Sequence, residues 1–339
     1  VLDGGPPPEL RATVPEGLWD WARRVVYVRD MAVPLREGAA WQEKRRLWEG
    51  FLRQEGFESL ARHRQCPDMT DWLGHLQPLL VPRLKLAFCY IPKVACTAFK
   101  DLFNAMNGLN ATLGFHGFLD YLASTAGPLN VSAESVTREN GWRFAAFTRD
   151  PLQRYLSAWA STCVQDDDGL MKHVQDCCGT FLQKDASARD LAASFSRRVR
   201  HDAVAGLPYE EQHWAPQVQV LFNCGWEKFG PGGLDYRGDL SAGSASVNAQ
   251  VKEMLRLAGA DREDLRLADR FFPEGRTLAE GAASANQNAA PSAVRERPEA
   301  FYGRRALLEG VRSLYAADFA LLSGVGAHFT ARLEARLWW

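Results

Sequence analysis

Cationic and hydroxyl side chains occur at two places where a short apolar run is followed directly by a helical pattern. The first is Lys93, in the segment Pro92-Lys-Val-Ala-Cys-Thr97, and the second is Arg149, with Ser157 further along the same helical pattern. A strand that turns directly into a helix points free backbone N–H groups at one spot, which favours anions. A guanidinium can bind a phosphate through two hydrogen bonds, and a hydroxyl adds one more. The first turn is therefore predicted to bind an anion, and the residue types at the second turn suit a phosphate.

Each of these turns needs a strand before it and a helix after it. Residues 84–91 form a short apolar run rich in strand formers, and the helical spacing that follows stops at Asn107-Gly108. Residues 142–148 are a second strand candidate. Asp150 is predicted to cap the next helix, with Pro151 as its first residue. The pattern indicates two strand–turn–helix units, one for each cation.

The first turn does not fit a Walker A loop, which needs glycines and a closing Gly-Lys-Ser/Thr. It resembles the 5′-phosphosulfate loop of sulfotransferases, most closely the P-K-V-A-C-T form of the Golgi carbohydrate sulfotransferases (sulfotransferase family 2, chondroitin 4-sulfotransferase-like). Residues 149–157, R-D-P-L-Q-R-Y-L-S, resemble the 3′-phosphate motif R-D-P-x-x-R-x-x-S of the same enzymes. Residues 213–217, H-W-A-P-Q, followed by Cys224, and residues 314–319, L-Y-A-A-D-F, resemble two further segments of that family. The resemblance covers about residues 84–324.

This resemblance implies an α/β protein with the P-loop NTPase-like sulfotransferase fold, in which helices flank a central parallel sheet. The catalytic domain would span residues 83–330. Residues 1–82 would form an N-terminal extension or stem, with an amphipathic helix within residues 41–62. Residues 230–246 and 281–292 are rich in Gly, Ala and Ser and are predicted to be loops.

The resemblance also implies a co-substrate, 3′-phosphoadenosine 5′-phosphosulfate, and no metal. Its 5′-phosphosulfate would be held by the loop residues Lys93, Val94, Ala95, Cys96 and Thr97. Arg149 and Ser157 would hold its 3′-phosphate. Asp150 and Arg154 are expected to be cap and ion-pair residues, and the acidic run at residues 166–168 is expected to be a solvated loop.

Two histidines are candidates for the general base, since a group with a pKa near neutrality suits proton removal from a hydroxyl. His116 ranks first, because the related heparan sulfate 2-O-sulfotransferases use a histidine in a His-Gly segment at this place in the chain order. His213, in the H-W-x-P-Q segment, ranks second. The alternative that either histidine is structural stays open.

The composition of the chain limits the kinds of partner it can bind and the cell compartment in which we expect it. The 339 residues are 46% hydrophobic and 24% charged, with a net charge of −1, which is normal for a globular protein and argues against a general nucleic-acid-binding surface. No apolar run approaches the roughly 18 residues that a membrane span needs. The chain starts at Val1. A signal or a membrane anchor outside this chain is therefore expected, with the enzyme in the Golgi lumen of the secretory pathway.

The cysteines and the N-glycosylation sequons also favour the secretory pathway. Four of the seven cysteines, Cys163, Cys177, Cys178 and Cys224, would form disulfides in a secretory chain or be buried free thiols otherwise. The triplets that begin at Asn110 and Asn130 are N-glycosylation sequons, typical of a glycoprotein.

The expected reaction is transfer of a sulfuryl group to a hydroxyl of a glycan acceptor. Three alternatives remain at this point: sulfation of a small-molecule hydroxyl, a nucleotide kinase or NTPase on the same fold, and an inactive glycan-binding relative. The missing Gly-Lys-Ser/Thr counts against the kinase. Lys93, Arg149 and Ser157 count against the inactive relative.

Overall fold

The computed structural model describes residues 50, 53, 63–64, 78–108, 131, 135–165, 182–183, 185–208, 213–224, 234–274, 291–322 and 324–337. Several predictions lie outside the described residues: His116, both sequons, Cys177 and Cys178, the acidic run 166–168, the loop 281–290, and the amphipathic helix within 41–62 except for Gly50 and Arg53, which are helical.

The strands are β1 His63–Arg64, β2 Leu79–Val81, β3 Leu86–Cys89, β4 Arg143–Thr148, β5 Val164–Gln165, β6 Leu182–Gln183, β7 Leu207–Pro208 and β8 Tyr236–Asp239. The helices are α1 Cys96–Met106, α2 Pro151–Thr162, α3 Ala188–Ala205, α4 Gln217–Asn223, α5 Ser244–Leu257, α6 Arg262–Phe271, α7 Ser292–Glu296, α8 Arg305–Leu314, α9 Ala316–Leu321 and α10 Phe329–Leu337. Short 3₁₀ helices span Pro82–Leu84, Leu240–Ala242 and Pro298–Tyr302.

The central sheet has four strands in the order β2-β3-β4-β8. β3 and β4 run parallel, with Phe88 opposite Ala145, and β4 and β8 run parallel, with Phe147 opposite Gly238. β2 lies antiparallel at the edge. The predicted α/β architecture with a central, mostly parallel sheet is confirmed. The two predicted anion-binding turns therefore follow neighbouring parallel strands and lie at the same edge of the sheet.

The predicted loop at residues 230–246 was wrong, because this segment contains β8, the 3₁₀ turn Leu240–Ala242 and the start of α5. A Cβ added at Gly238 would overlap the ring of Phe147. This glycine is therefore needed for close packing within the sheet, not for a turn.

Other boundaries are close to those predicted. The sequence pattern predicts a helix over residues 247–257, and α5 begins three residues earlier, at Ser244. The segment 314–319 is divided between α8 and α9 at Tyr315. The domain boundary after residue 82 stays a prediction, and β2, which precedes it, pairs with β3.

An aromatic cluster joins the sheet to α1. The ring of Phe99 on α1 lies 4.4 Å from that of Phe88 on β3, 4.9 Å from that of Phe147 on β4 and 4.6 Å from that of Phe272 at the end of α6. All four side chains are buried. The first of the two predicted anion-binding turns is thus flanked by a strand and a helix that pack tightly against each other.

A second cluster lies around α2 and α3. The ring of Trp159 lies 5.4 Å from that of Phe195, which lies 5.1 Å from that of Tyr302, and the ring of Tyr155 lies 5.2 Å from that of Trp214. These contacts hold the helix that follows Arg149. Within the described part of the chain, no helix is long and apolar enough to cross a membrane.

Candidate functional site

The first turn, residues 92–97, has an unusual backbone. Lys93 and Ala95 both have positive φ values, 67° and 53°, which non-glycine residues rarely adopt. Val94 between them is buried, and its N–H donates to the Ile91 carbonyl at 3.0 Å. Such a turn directs successive N–H groups into one concavity that can hold an anion.

α1 begins in this turn without a side-chain cap. Ala95 occupies the N-cap position, and no described side chain accepts a hydrogen bond from the first turn of the helix. α2, α3 and α6 each have an Asp or Ser in that role. The N-terminal N–H groups of α1 are thus available to an anionic ligand.

Arg149 joins the second turn to the first. It follows β4 directly, and its Nη1 donates to the carbonyl oxygen of Lys93 at 3.1 Å. Burial lowers the pKa of Arg149 to about 10, with Asp150 opposing this effect and Arg154 adding to it. The guanidinium therefore stays protonated at neutral pH, and it lies at the base of the lysine turn.

Arg154 joins a third segment to the same place. Its side chain is fully buried on α2, where Nε donates to the Pro92 carbonyl at 2.9 Å and Nη1 to the Ala215 carbonyl at 2.5 Å. Two of the partners of Arg154 are therefore backbone carbonyls, and the expected ion pair stays a prediction. This bridge places the segment of His213 beside the lysine turn.

Gln217 and Asp318 hold that third segment. The side-chain amide of Gln217 bonds both to the N–H of Arg149, at 2.9 Å, and to its carbonyl, at 2.8 Å. Asp318 on α9 accepts from the N–H groups of Gln217 and Val218, at 3.0 and 2.9 Å. Burial raises the pKa of Asp318, and these two N–H groups oppose the rise.

The structure confirms Asp150 as the cap of α2. Its carboxylate accepts from the N–H groups of Leu152 at 2.9 Å and Gln153 at 3.3 Å. The same carboxylate accepts from the N–H of Thr330 at 2.8 Å and from its hydroxyl at 3.0 Å, which docks α10. The backbone N–H of Asp150 donates to the hydroxyl of Ser241 at 2.9 Å. The residue that follows Arg149 is thus fixed through both its backbone and its side chain.

The sequence of this chain matches the sulfotransferase family over residues 78–323. The chain belongs to the sulfotransferase family. It is 21% identical over 187 residues to carbohydrate sulfotransferase 14 of Danio rerio, which covers 52% of this chain and 51% of that protein. The chain thus spans about half the length of this relative. No solved structure matches.

A disulfide ties the carboxyl end of β3 in this sulfotransferase to the end of α4. Cys89, the last residue of β3, bonds to Cys224, directly after α4. Cys163 is also disulfide-bonded. The prediction of disulfides is confirmed, but Cys89, which pairs with Cys224, was not among the four expected cysteines. Cys96 keeps a free thiol at the start of α1.

The structure brings some predicted residues of this sulfotransferase together. Lys93 and Arg149 are in contact through the Lys93 carbonyl. Ser157 lies partly buried on α2, and His213 lies partly buried in the turn before α4. The roles of all four, and of the N–H groups of Val94 to Thr97, stay predictions.

Some site residues were missed from the sequence. Gln217 and Asp318 lie within motifs that were recognised, but the motifs did not reveal what these side chains bind. Outside the site, the sequence also gave no signal that Lys100 is buried: it is 3% exposed, its Nζ lies 4.3 Å from the centre of the Tyr90 ring, and burial lowers its pKa to about 8.

A cleft of about 640 Å³ lies elsewhere in the molecule, lined by Lys85, Glu139 and Trp142 among others. These residues precede β3 and β4 and lie at the amino ends of both strands. Ligands of open α/β sheets bind beyond the carboxyl ends of the strands. We therefore assign the candidate site to the Lys93 and Arg149 turns.

Proposed function

We propose that this chain transfers a sulfuryl group from 3′-phosphoadenosine 5′-phosphosulfate to a hydroxyl group of a carbohydrate. The observation that carries the proposal is the contact between Arg149 and the Lys93 carbonyl. It joins two cationic turns at the carboxyl ends of neighbouring parallel strands. A donor with a phosphate group at each end of its ribose needs two such anion sites at short range.

Each turn suits one end of this donor. Lys93 and the uncapped N–H groups of α1 would hold the 5′-phosphosulfate, since an ammonium and a helix N-terminus both favour an anion. Arg149 would bind the 3′-phosphate through charge-assisted hydrogen bonds, with the Ser157 hydroxyl adding one more. No metal is needed for either contact.

The proposed chemistry is an in-line displacement at sulfur. The acceptor oxygen forms a bond to sulfur while the bond from sulfur to the 5′-phosphate oxygen breaks, and the acceptor proton passes to a base. Negative charge grows on the leaving phosphate, where Lys93 stabilises it. His116 ranks first as the base and His213 second.

The carbohydrate acceptor rests on the name of the zebrafish relative, carbohydrate sulfotransferase 14, and on the matching motifs. The disulfide between Cys89 and Cys224 supports an oxidising compartment. We therefore propose that the enzyme acts in the secretory pathway, in the Golgi lumen.

The test compares Arg149→Ala with Arg143→Ala. Arg143 is an exposed arginine at the other end of the same strand, so it controls for the loss of one positive charge. Calorimetry should detect binding of adenosine 3′,5′-bisphosphate to the wild type. Arg149→Ala should weaken this binding roughly 10- to 100-fold, as expected for the loss of a charged hydrogen-bond pair. Arg143→Ala should bind as the wild type does.

Transfer of labelled sulfate to a panel of glycans and small-molecule alcohols, read by mass spectrometry, would identify the acceptor class. A parallel assay for ATP hydrolysis should remain blank. Wild-type affinity in Arg149→Ala, or no binding of the bisphosphate by folded wild-type protein, would contradict the proposal.

A further inference from the structure

The side chain of Gln217 bonds to the backbone of Arg149 in the way that a neighbouring strand would. The pairing between β4 and β8 ends with Thr148 opposite Asp239, so Arg149 is the first residue beyond the ladder. Its N–H and its carbonyl both bond to the Gln217 amide, at 2.9 and 2.8 Å. Buried backbone groups need such partners. The amide thereby fixes the backbone from which the Arg149 side chain extends.

Gln217 is itself held from two sides. Its side chain is fully buried, and its backbone N–H donates to Asp318 at 3.0 Å. At the other end of the short helix α4, Cys224 is bonded to Cys89 of β3. The amide is therefore fixed relative to the sheet before any ligand arrives.

We propose that Gln217 is a positioning residue for the donor: it sets the direction in which Arg149 presents its guanidinium to the 3′-phosphate. This inference rests on the proposed function. An amide is required because one side chain must accept a hydrogen bond from the Arg149 N–H and donate one to the Arg149 carbonyl. A carboxylate at this position could accept from the Arg149 N–H, but it could not donate to the Arg149 carbonyl. It would also face Asp318, whose carboxylate lies 3.4 Å from the amide nitrogen.

A double-mutant cycle tests the inference, with the affinity for adenosine 3′,5′-bisphosphate measured by calorimetry on the wild type, Gln217→Ala, Arg149→Ala and the double variant. We expect Gln217→Ala to weaken binding about tenfold. In the Arg149→Ala background the same change should have no further effect, because Gln217 acts through Arg149. Adenosine 5′-monophosphate, which lacks the 3′-phosphate, should bind equally to the wild type and to Gln217→Ala.

Gln219→Ala is the matched control. Gln219 lies on the same helix, is 1% exposed, and its amide nitrogen has no hydrogen-bond partner among the described residues. The substitution Gln219→Ala should create a similar cavity without changing the affinity for adenosine 3′,5′-bisphosphate. Where Gln217→Ala gives no folded protein, Gln217→Met, which keeps the side-chain length, takes its place in the cycle.

The outcomes separate this inference from the proposed function. No binding to folded wild-type protein would overturn the proposed function, and this inference with it. Binding that Arg149→Ala weakens but Gln217→Ala leaves unchanged would overturn the inference alone. Losses that add in the double variant, or an equal loss of 5′-monophosphate binding, would do the same, since both indicate a general structural effect.

Discussion

Removing the guanidinium of Arg154 should destabilise the protein more than any exposed substitution. The fully buried side chain donates to two backbone carbonyls, those of Pro92 and Ala215, at 2.9 and 2.5 Å. A hydrogen bond to a charged group contributes about 1.5–3 kcal/mol, so Arg154→Met should lower the free energy of unfolding by about 3–6 kcal/mol. Total stabilities are about 5–15 kcal/mol, so this is a large fraction. Arg154→Lys keeps the charge but offers one nitrogen in place of the two that bond to the carbonyls, and should lose about half as much.

Urea denaturation followed by tryptophan fluorescence would measure these losses. With a denaturant slope of about 3 kcal/mol per molar, the unfolding midpoint of Arg154→Met should fall by about 1–2 M. Arg197→Met, at an exposed arginine of α3, is the control and should shift the free energy by less than about 0.5 kcal/mol. A loss below about 1 kcal/mol in Arg154→Met, or equal stability of Arg154→Lys and the wild type, would refute the bridging role.

Two further predictions concern stability. Replacing Cys89 and Cys224 together by Ala opens a loop closed across 135 residues, and should cost about 2–5 kcal/mol in urea denaturation under oxidising conditions; superimposed unfolding curves would contradict this. Burial lowers the pKa of Lys100 from 10.5 to about 8, so the unfolded chain holds this proton more tightly than the folded one. The stability of the wild type relative to Lys100→Met should therefore rise by about 3 kcal/mol between pH 8 and pH 10.5 and stay level below pH 8. A difference between the two proteins that does not change with pH would count against this.

Local patterns predicted the parts of the site that depend on neighbours in the chain. The helical spacing before Asn107 and the Asp150-Pro151 pair act within a few residues, so α1, α2 and their turns lie where the sequence indicated. β8 was missed because Gly238 was interpreted as a loop former. Its role depends on the ring of Phe147, which is distant in the chain.

Contacts between residues far apart in the chain could not be predicted from the sequence, because they depend on how distant segments pack together. The bond of Cys89 to Cys224 spans 135 residues, and nothing in the spacing of seven cysteines selects it. Gln217 and Asp318 were seen within motifs, but a motif gives residue types in order and not the atoms they meet. The contact of Arg149 with the Lys93 carbonyl could be predicted only with the register of β3 against β4 known.

The strained turn at Lys93 is stabilised by the two arginines that bond to its backbone. A left-handed backbone costs roughly 1–2 kcal/mol at each of Lys93 and Ala95, so the turn needs outside support to hold this shape. Arg149 and Arg154 supply it by bonding to the carbonyls of Lys93 and Pro92. At the end of the same turn, α1 begins without a side-chain cap, so its first N–H groups are available to an anion. Under the proposed function the second motif would have two roles: Arg149 would bind one phosphate of the donor, and Arg149 and Arg154 together would keep the first motif in the conformation that binds its other end.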